Sequence, residues 1–327
     1  MSVAIEVQGL RKRYADTIAV HDVSFSVKQG EIFGIVGPNG AGKTTTVECI
    51  EGLRSPDAGH ISVLGLNPAR DRAELTERLG VQLQDSELPE RLRVGEALRL
   101  YGSFYDSPAD WRELMDQLGL SEKEKTSFGK LSGGQRQRLS IALALVGQPE
   151  VVVLDELTTG LDPQARRDTW ALIESVRARG TTVLLVTHFM EEAERLCDRV
   201  AVIDAGRIVA LDTPAALAAG ADAEQRISFR PASPLDDQLL RKLPDVFSVQ
   251  RYGETVTVTG NNNVVNAVTS VLASHGVVAE QLRVDQASLE DAFVALTQRH
   301  GSGRQDSGSH ETSRPVTELI THVNGRN

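Results

Sequence analysis

Gly37, Pro38, Asn39, Gly40, Ala41, Gly42, Lys43 and Thr44 carry the clearest chemistry in the chain. Their spacing is a glycine, four residues, then glycine, lysine and threonine. They stand between an apolar run at 31–36 and a segment of helical pattern. A polyphosphate needs several backbone N–H donors converging on it. Side chains on every residue would block that approach, and glycines permit it. A helix opening near Lys43 would aim the positive end of its dipole at the anion. The Lys43 ammonium would neutralise β- and γ-phosphate charge. The Thr44 hydroxyl is a hard oxygen ligand suited to Mg2+, and Thr45 joins the phosphate-facing set. A glycine-rich turn can match such spacing by chance. The strand before it and the helix after it argue for a phosphate cradle instead.

A site of this kind needs a carboxylate on a neighbouring strand to support the metal. Val151, Val152, Val153 and Leu154 make a buried strand, and Asp155 and Glu156 stand at its end. Asp155 would hold Mg2+ directly or through water. Glu156 is placed to polarise an attacking water. A merely charged strand terminus would look the same in isolation; next to a phosphate loop it reads as catalytic.

Leu131, Ser132, Gly133, Gly134 and Gln135 precede that strand. Ser132 suits the N-cap of the helical run after it, and two glycines leave N–H groups open to an anion. From the residues alone, a plain cap and an anion-binding turn both remain open. Here the chain resembles the ATP-binding cassette (ABC) family, of which this pentapeptide is the signature. The resemblance implies that residues 131–135 serve a nucleotide bound by a second subunit. Two copies would then face each other head to tail with two ATP molecules between them.

The resemblance implies further roles. Tyr14 lies where the family stacks an aromatic on adenine. Gln84 fits the glutamine that reaches the metal and joins the core to a helical insert, with Gln82 a rival for that register. Asp162, after Gly160 and Leu161, falls in the loop by which one subunit senses the other's site. His188 matches the switch histidine at the γ-phosphate. One departure stands out: Leu157 occupies a position where the family usually has proline. Proline pre-sets φ, so a looser loop and weakened coupling between the two sites are expected.

These residues need a scaffold. Residues 3–8 and 23–28 pattern as short antiparallel strands. Runs at 31–36, 151–154, 182–186 and 200–203 pattern as buried strands, with helices over 43–53, 163–179 and 190–196. Such alternation implies a parallel sheet covered on both faces. The expected fold class is α/β: a P-loop NTPase cassette over 1–220, with a β-subdomain and a helical insert at about 85–145. A small α+β domain is expected over 226–299, after a linker near 215–225, with strands in ISFRP, FSVQRY, TVTVTG and VAEQLRV. The polar, Ser- and Gly-rich stretch over 300–327 is expected to be disordered.

Composition removes other classes. A net charge of −10 disfavours a general nucleic-acid surface. Cys49 and Cys197 are too few for a disulfide framework or a metal site. The start shows no basic-then-apolar leader, so no signal peptide is expected. The longest apolar runs fall far short of the ~20 residues that span a bilayer. The membrane role implied by the resemblance therefore calls for a separate polytopic permease, with this chain at the cytoplasmic face of the membrane. The segment Ser288, Leu289, Glu290, Asp291, Ala292, Phe293 resembles the tail of bacterial two-component exporters of the daunorubicin-resistance type. It also reads as an ordinary helix, capped by Ser288, with Leu289, Ala292, Phe293 and Leu296 on one apolar face. The resemblance thus points to the ATPase of an exporter conferring antibiotic resistance. The rivals are an ABC ATPase acting on ribosomes or DNA, and a module that holds ATP without hydrolysing it.

Overall fold

The computed structural model describes residues 2–82, 88–220, 225–261, 263–285 and 288–294. The chain opens with two long antiparallel strands, β1 (Val3–Tyr14) and β2 (Thr17–Lys28). Their ladder slips register four times, which curls the hairpin. The short strands expected at 3–8 and 23–28 are thus parts of longer ones. Next come β3 (Ile32–Val36), α1 (Lys43–Ile50), β4 (Ala58–Val63), α2 (Arg72–Arg78) and β5 (Leu79–Gln82). A helical stretch holds α3 (Val94–Gly102), α4 (Trp111–Gln117) and α5 (Gly133–Leu145). Then follow β6 (Val151–Asp155), α6 (Pro163–Ala178), β7 (Thr182–Thr187), α7 (Met190–Leu196), β8 (Arg199–Asp204), β9 (Arg207–Asp212) and α8 (Pro214–Gly220).

The central sheet runs β5-β6-β7-β3-β8-β9. It is parallel except where β9 turns back along β8. Every residue of β3, β6 and β7 is buried, as a sheet covered on both faces requires. The two-residue period of a strand divides these side chains between two cores. Ile32, Val36, Val152, Leu154, Val183 and Leu185 face α3, α5, α6 and α7. Phe33, Ile35, Val151, Val153, Leu184 and Val186 face α1 and the smaller sheet β2-β1-β4.

A second unit follows: β10 (Gln225–Pro231), α9 (Asp237–Arg241), β11 (Val246–Tyr252), β12 (Thr255–Gly260), α10 (Val264–Ser274) and β13 (Ala279–Asp285). The order β11-β12-β10-β13, all antiparallel, is a split βαβ arrangement. One face packs Ile227, Phe229, Val249, Val256 and Val258 against Leu240, Val264, Val268 and Leu272. On the other face hydroxyls pair across strands, Ser248 with Thr259 at 2.7 Å and Ser228 with Thr257 at 3.2 Å. The helix α9 was not anticipated, nor were α2, β5 and β9, and α8 occupies the start of the stretch expected to be a linker; all are short and carry little periodicity.

After β13, residues 289–294 are helical. Ser288 Oγ accepts the Asp291 N–H at 3.1 Å, and Asp291 Oδ2 accepts the Ser288 N–H at 3.0 Å. Leu289 is fully buried and Phe293 half-buried, and both join the cassette-side cluster that contains Leu217. By packing, this turn belongs to the cassette's core rather than to the second unit's own. Leu296 lies outside the described residues, as does everything from 295 onward. Cys49 and Cys197 are free and buried. Among the described residues, no helix is long and apolar enough to cross a membrane.

Candidate active site

Three adjacent strands deliver their loops to one edge of the sheet. Val36 pairs with Thr187, and Asp155 pairs with Val186. The residues just beyond, Gly37, His188 and Glu156, therefore leave the C-terminal edge side by side. Open α/β sheets bind ligands at that edge.

The loop from β3 to α1 is fitted tightly. A Cβ on Gly37 would lie 2.1 Å from the Ile203 carbonyl oxygen, and one on Gly42 would lie 2.3 Å from that of Ala19. Only glycine allows these approaches. The turn between β8 and β9 braces the loop, with the Gly206 N–H donating to the Ala41 carbonyl at 2.9 Å. Pro38, Asn39 and Gly40 form the bend between. Gly42 is the N-cap of α1 and supplies no side-chain acceptor, so the first-turn N–H groups of Lys43, Thr44 and Thr45 have no capping partner there. Lys43 is buried, and its Nζ donates to the Gly37 and Pro38 carbonyls at 2.8 and 3.1 Å. Burial lowers its pKa, while the charges of Glu156 and Asp155 oppose that shift. Thr44 is exposed and Thr45 half-buried.

Asp155 is 7% exposed at the end of β6. Burial pushes its carboxyl up to about 6, the charge of Glu156 adds to the rise, and Lys43 pulls the other way. Its N–H donates to Gln82 Oε1 at 3.1 Å. Gln82, the rival in register, thus braces β5 against β6 from a buried position. Gln84 lies outside the described residues. Glu51, just after α1, was not anticipated. Burial lifts its carboxyl to about 8, with Asp155 and Glu48 adding to the rise. Only the three-dimensional neighbourhood marks this residue.

Glu156 has φ +50, a left-handed conformation that a non-glycine residue adopts at a cost. Its N–H donates to the Val186 carbonyl at 2.9 Å. Its Oε1 lies 3.1 Å from Nδ1 of His188. The His188 ring packs against Phe189 at a tilt of 40°, with centroids 4.0 Å apart. The next residue, Leu157, is completely buried in the helix-side core. The loop expected to be loose for want of proline is instead anchored by packing.

A divalent cation fits this donor set. Thr44 offers an exposed hydroxyl, and Asp155 a buried carboxylate crowded by the negative charge of Glu156 and Glu48. Hard oxygen donors with surplus negative charge are what Mg2+ selects. Tyr14 closes β1, with Lys12 Nζ 5.7 Å and the Arg54 guanidinium 5.4 Å from its ring centre. Arg54 pairs with Glu48 on α1, which ties the Tyr14 ring to the helix behind the phosphate loop.

The second constellation forms a groove of its own. Ser132 Oγ accepts the Gln135 N–H at 3.3 Å, and Gln135 Oε1 accepts the Ser132 N–H at 3.1 Å. The pair is a capping box for α5. Asp162 caps α6 by accepting the N–H groups of Gln164 and Ala165, both at 2.9 Å. The two helix starts abut: a Cβ on Gly134 would sit 3.4 Å from the Ala165 Cβ. Arg138 and Asp168 pair at 2.8 Å between them. Leu131 is buried beneath, while Ser132, Gly133, Gly134, Gln135 and Asp162 line the groove. No residue of the phosphate loop is among its described lining. One copy therefore holds two anion-suited surfaces that it does not bring together.

The ABC transporter family model matches residues 20–159. The Nod factor export ATP-binding protein I of Burkholderia orbicola is 47% identical over 224 residues, covering 66% of this chain and 73% of that protein. Its namesake in Ralstonia nicotianae is 38% identical over 305 residues, or 90% of this chain and 94% of that protein. The latter match extends through the second unit. Among solved structures, an ATP-binding subunit of an ABC transporter superposes with TM-score 0.60 at 30% identity, covering 65% of this chain and 91% of that one. A bacterial ABC transporter cassette solved as a dimer superposes with TM-score 0.58 at 25% identity, covering 64% and 98%.

Proposed function

This chain belongs to the ATP-binding proteins of the ABC transporter family, and on that premise we propose how its two surfaces act. It is the ATPase of a transporter, with the mixed α/β cassette fold of that family. The residue roles, the partners and the direction of transport are our reading.

The phosphate loop, Gly37 to Thr45, holds the phosphates of ATP through backbone N–H groups, with Lys43 turning its ammonium from the loop carbonyls to the β- and γ-phosphates. Tyr14 borders the adenine. Thr44 and Asp155 would hold Mg2+, with Gln84 as a further ligand; the ion would draw charge from the phosphates. Glu156 orients the attacking water, and His188 keeps the Glu156 carboxylate in position while facing the γ-phosphate. A second copy presents residues 131–135 and Asp162 to the same nucleotide. The separation of the two surfaces on one copy supports that arrangement. Phosphate charge then holds the halves together, and its loss after hydrolysis opens them.

The observation that carries this reading is the 3.1 Å contact of His188 with Glu156 at the sheet edge where the phosphate loop begins. Export is favoured because the relatives above are named for it. The cargo would be selected by a separate polytopic permease, which this chain would join at the cytoplasmic face. The relatives are named after Nod factor rather than a drug, so antibiotic resistance is one export role among several.

The test is recovery of tagged Glu156→Gln protein with MgATP from detergent-solubilised membranes of the source cell. A stoichiometric polytopic membrane protein is expected. Ribosomal or nucleic-acid factors in its place would overturn the transport reading in favour of an ABC ATPase acting on ribosomes or DNA.

A further inference from the structure

Glu192, on α7, has no part in the mechanism above, yet it is a carboxylate with no exposed surface at all. Burying an acid is costly unless it is bonded, so its partners are informative. The Trp170 Nε1–H, from α6, donates to its Oε1 at 3.2 Å. The hydroxyls of Thr187 and Thr158 face the same carboxyl. Burial raises its pKa; the neighbouring Thr187 hydroxyl, the Trp170 N–H, the Thr158 hydroxyl and the charge of Arg166 oppose that rise. Among the described residues, Glu192 Oε2 and Thr158 Oγ1 have no hydrogen-bond partner, so the Trp170 bond is the one that fixes the carboxylate.

The partners come from three places that the hydrolytic reading needs in register. Thr158 lies in the loop that begins at Glu156. Thr187 ends β7 immediately before His188, and its Oγ1 also accepts the Phe189 N–H at 3.0 Å. Trp170 lies on α6, whose N-cap is Asp162. Arg166 links the same parts from outside. Its guanidinium lies 5.0 Å from the centre of the Phe189 ring, against which His188 packs, and 3.6 Å from Glu191.

We propose that Glu192 is a positioning residue for hydrolysis. Its carboxyl bonds Trp170 and faces the Thr187 and Thr158 hydroxyls, and thereby keeps α6, the His188 loop and the Glu156 loop in the register that holds His188 against Glu156. This rests on reading Glu156 and His188 as the hydrolytic pair. Glu192 touches neither the nucleotide nor the water; it acts through the two loops that do. A shift of about 1 Å in such a pair costs on the order of a hundredfold in rate. Nucleotide affinity, set by the phosphate loop, is outside its reach.

The test uses Glu192→Met, which keeps side-chain length and deletes every bond, and Glu192→Gln, which keeps a carbonyl acceptor for the indole. Trp111 and Trp170 are the only tryptophans, so a Trp111→Phe background leaves the Trp170 indole N–H as a single NMR reporter. The expected result for Glu192→Met is a displaced indole signal and a kcat at least about tenfold lower, with KM for MgATP within about twofold. Glu192→Gln should restore the indole signal and most of kcat.

Folded Glu192→Met with wild-type kcat would overturn the proposal, as would loss carried in KM alone. Restoration of the indole signal by Glu192→Gln without restoration of rate would do the same. Should Glu192→Met not fold, Trp170→Phe removes the N–H that bonds the Glu192 carboxylate. A kcat lowered about threefold or more supports the proposal, and an unchanged kcat rejects it. Glu156→Gln assayed in parallel separates the two readings. Turnover in that variant would remove the hydrolytic assignment itself, whereas its loss beside an unaffected Glu192→Met would remove only the role of Glu192.

Discussion

The cassette sheet and the sheet of the second unit solve the same packing problem in opposite ways. In the cassette, β3, β6 and β7 are buried on both faces, so only their ends meet solvent. The side chains to which we assign the chemistry, Lys43, Asp155, Glu156 and His188, gather there. In the second unit, an antiparallel sheet buries one face and gives the other to Ser228, Thr257, Ser248 and Thr259. Its strands alternate, and the charged side chains that meet at their ends, Arg230 with Glu254 and Glu280, form exposed ion pairs. A sheet buried on both faces forces function into its loops; a half-covered sheet spreads polar groups along its length.

The comparison predicts that substitutions at the cassette's edge remove activity and spare the fold, while core substitutions in the second unit do the reverse. The largest effect is expected for Lys43→Ala. Removing a cation aimed at developing phosphate charge should lower ATP turnover at least about a hundredfold. Circular dichroism should be unchanged. Phosphate release within tenfold of the parent would contradict the role given to the loop.

Phe229→Ala tests the other half. Phe229 is 1% exposed in the second unit's core, and such a truncation costs about 3–5 kcal/mol. The second unit should lose protection in hydrogen exchange at β10 and β12. ATP binding by the cassette should persist. Loss of both together would mean that the two cores are one cooperative structure, tied through Leu289.

How much of this was legible beforehand follows from the same contrast. The phosphate loop is contiguous, so its residue types and spacing declare themselves. The buried strands declare themselves as apolar runs, and 151–154 and 182–186 fall within β6 and β7. The second unit's strands alternate well enough to be found within a residue or two. Gln82, Glu51 and Glu192 are different. Each has a role only because another segment packs over it: β6 over Gln82, Asp155 near Glu51, Trp170 and two threonines around Glu192. No local pattern encodes that. Leu157 shows a related failure. Compared with a family's proline it read as an absence, whereas its contribution is the apolar volume it buries. Ser132 left two readings open, and its capping box accounts for one while its place in the groove with Asp162 keeps the other.

Glu51 gives a smaller, pH-dependent effect. Its carboxyl is raised from 4.5 to about 8, so the folded chain holds that proton more tightly than the unfolded chain. The stability it contributes is full below pH 4.5 and is lost as pH rises through about 8. Asp155, raised from 3.8 to about 6, acts in the same direction over a lower range. Glu51→Gln removes the titration. Without nucleotide, it should raise the melting temperature at pH 8 by about 2–4 °C and by clearly less at pH 5. An equal gain at both pH values would mean that Glu51 is not held neutral by its surroundings.

The smallest effect is expected where family resemblance suggested the largest departure. A looser loop at Leu157 would weaken coupling between the two sites, and Leu157→Pro would then strengthen ATP-dependent dimerisation. The structure gives a different balance. Leu157 has no exposed surface and joins the helix-side core, so packing from beneath already fixes the loop that carries Glu156. Proline would restrict φ while surrendering part of that packing. These terms oppose each other, so turnover and dimerisation should change by less than about threefold. Stability should fall by about 1 kcal/mol. Sedimentation of each protein with ATP, in the Glu156→Gln background, measures the dimerisation directly. A large gain for the proline variant would show that backbone restriction, not burial, governs the catalytic loop, and that this edge of the cassette sheet is less firmly held than its core.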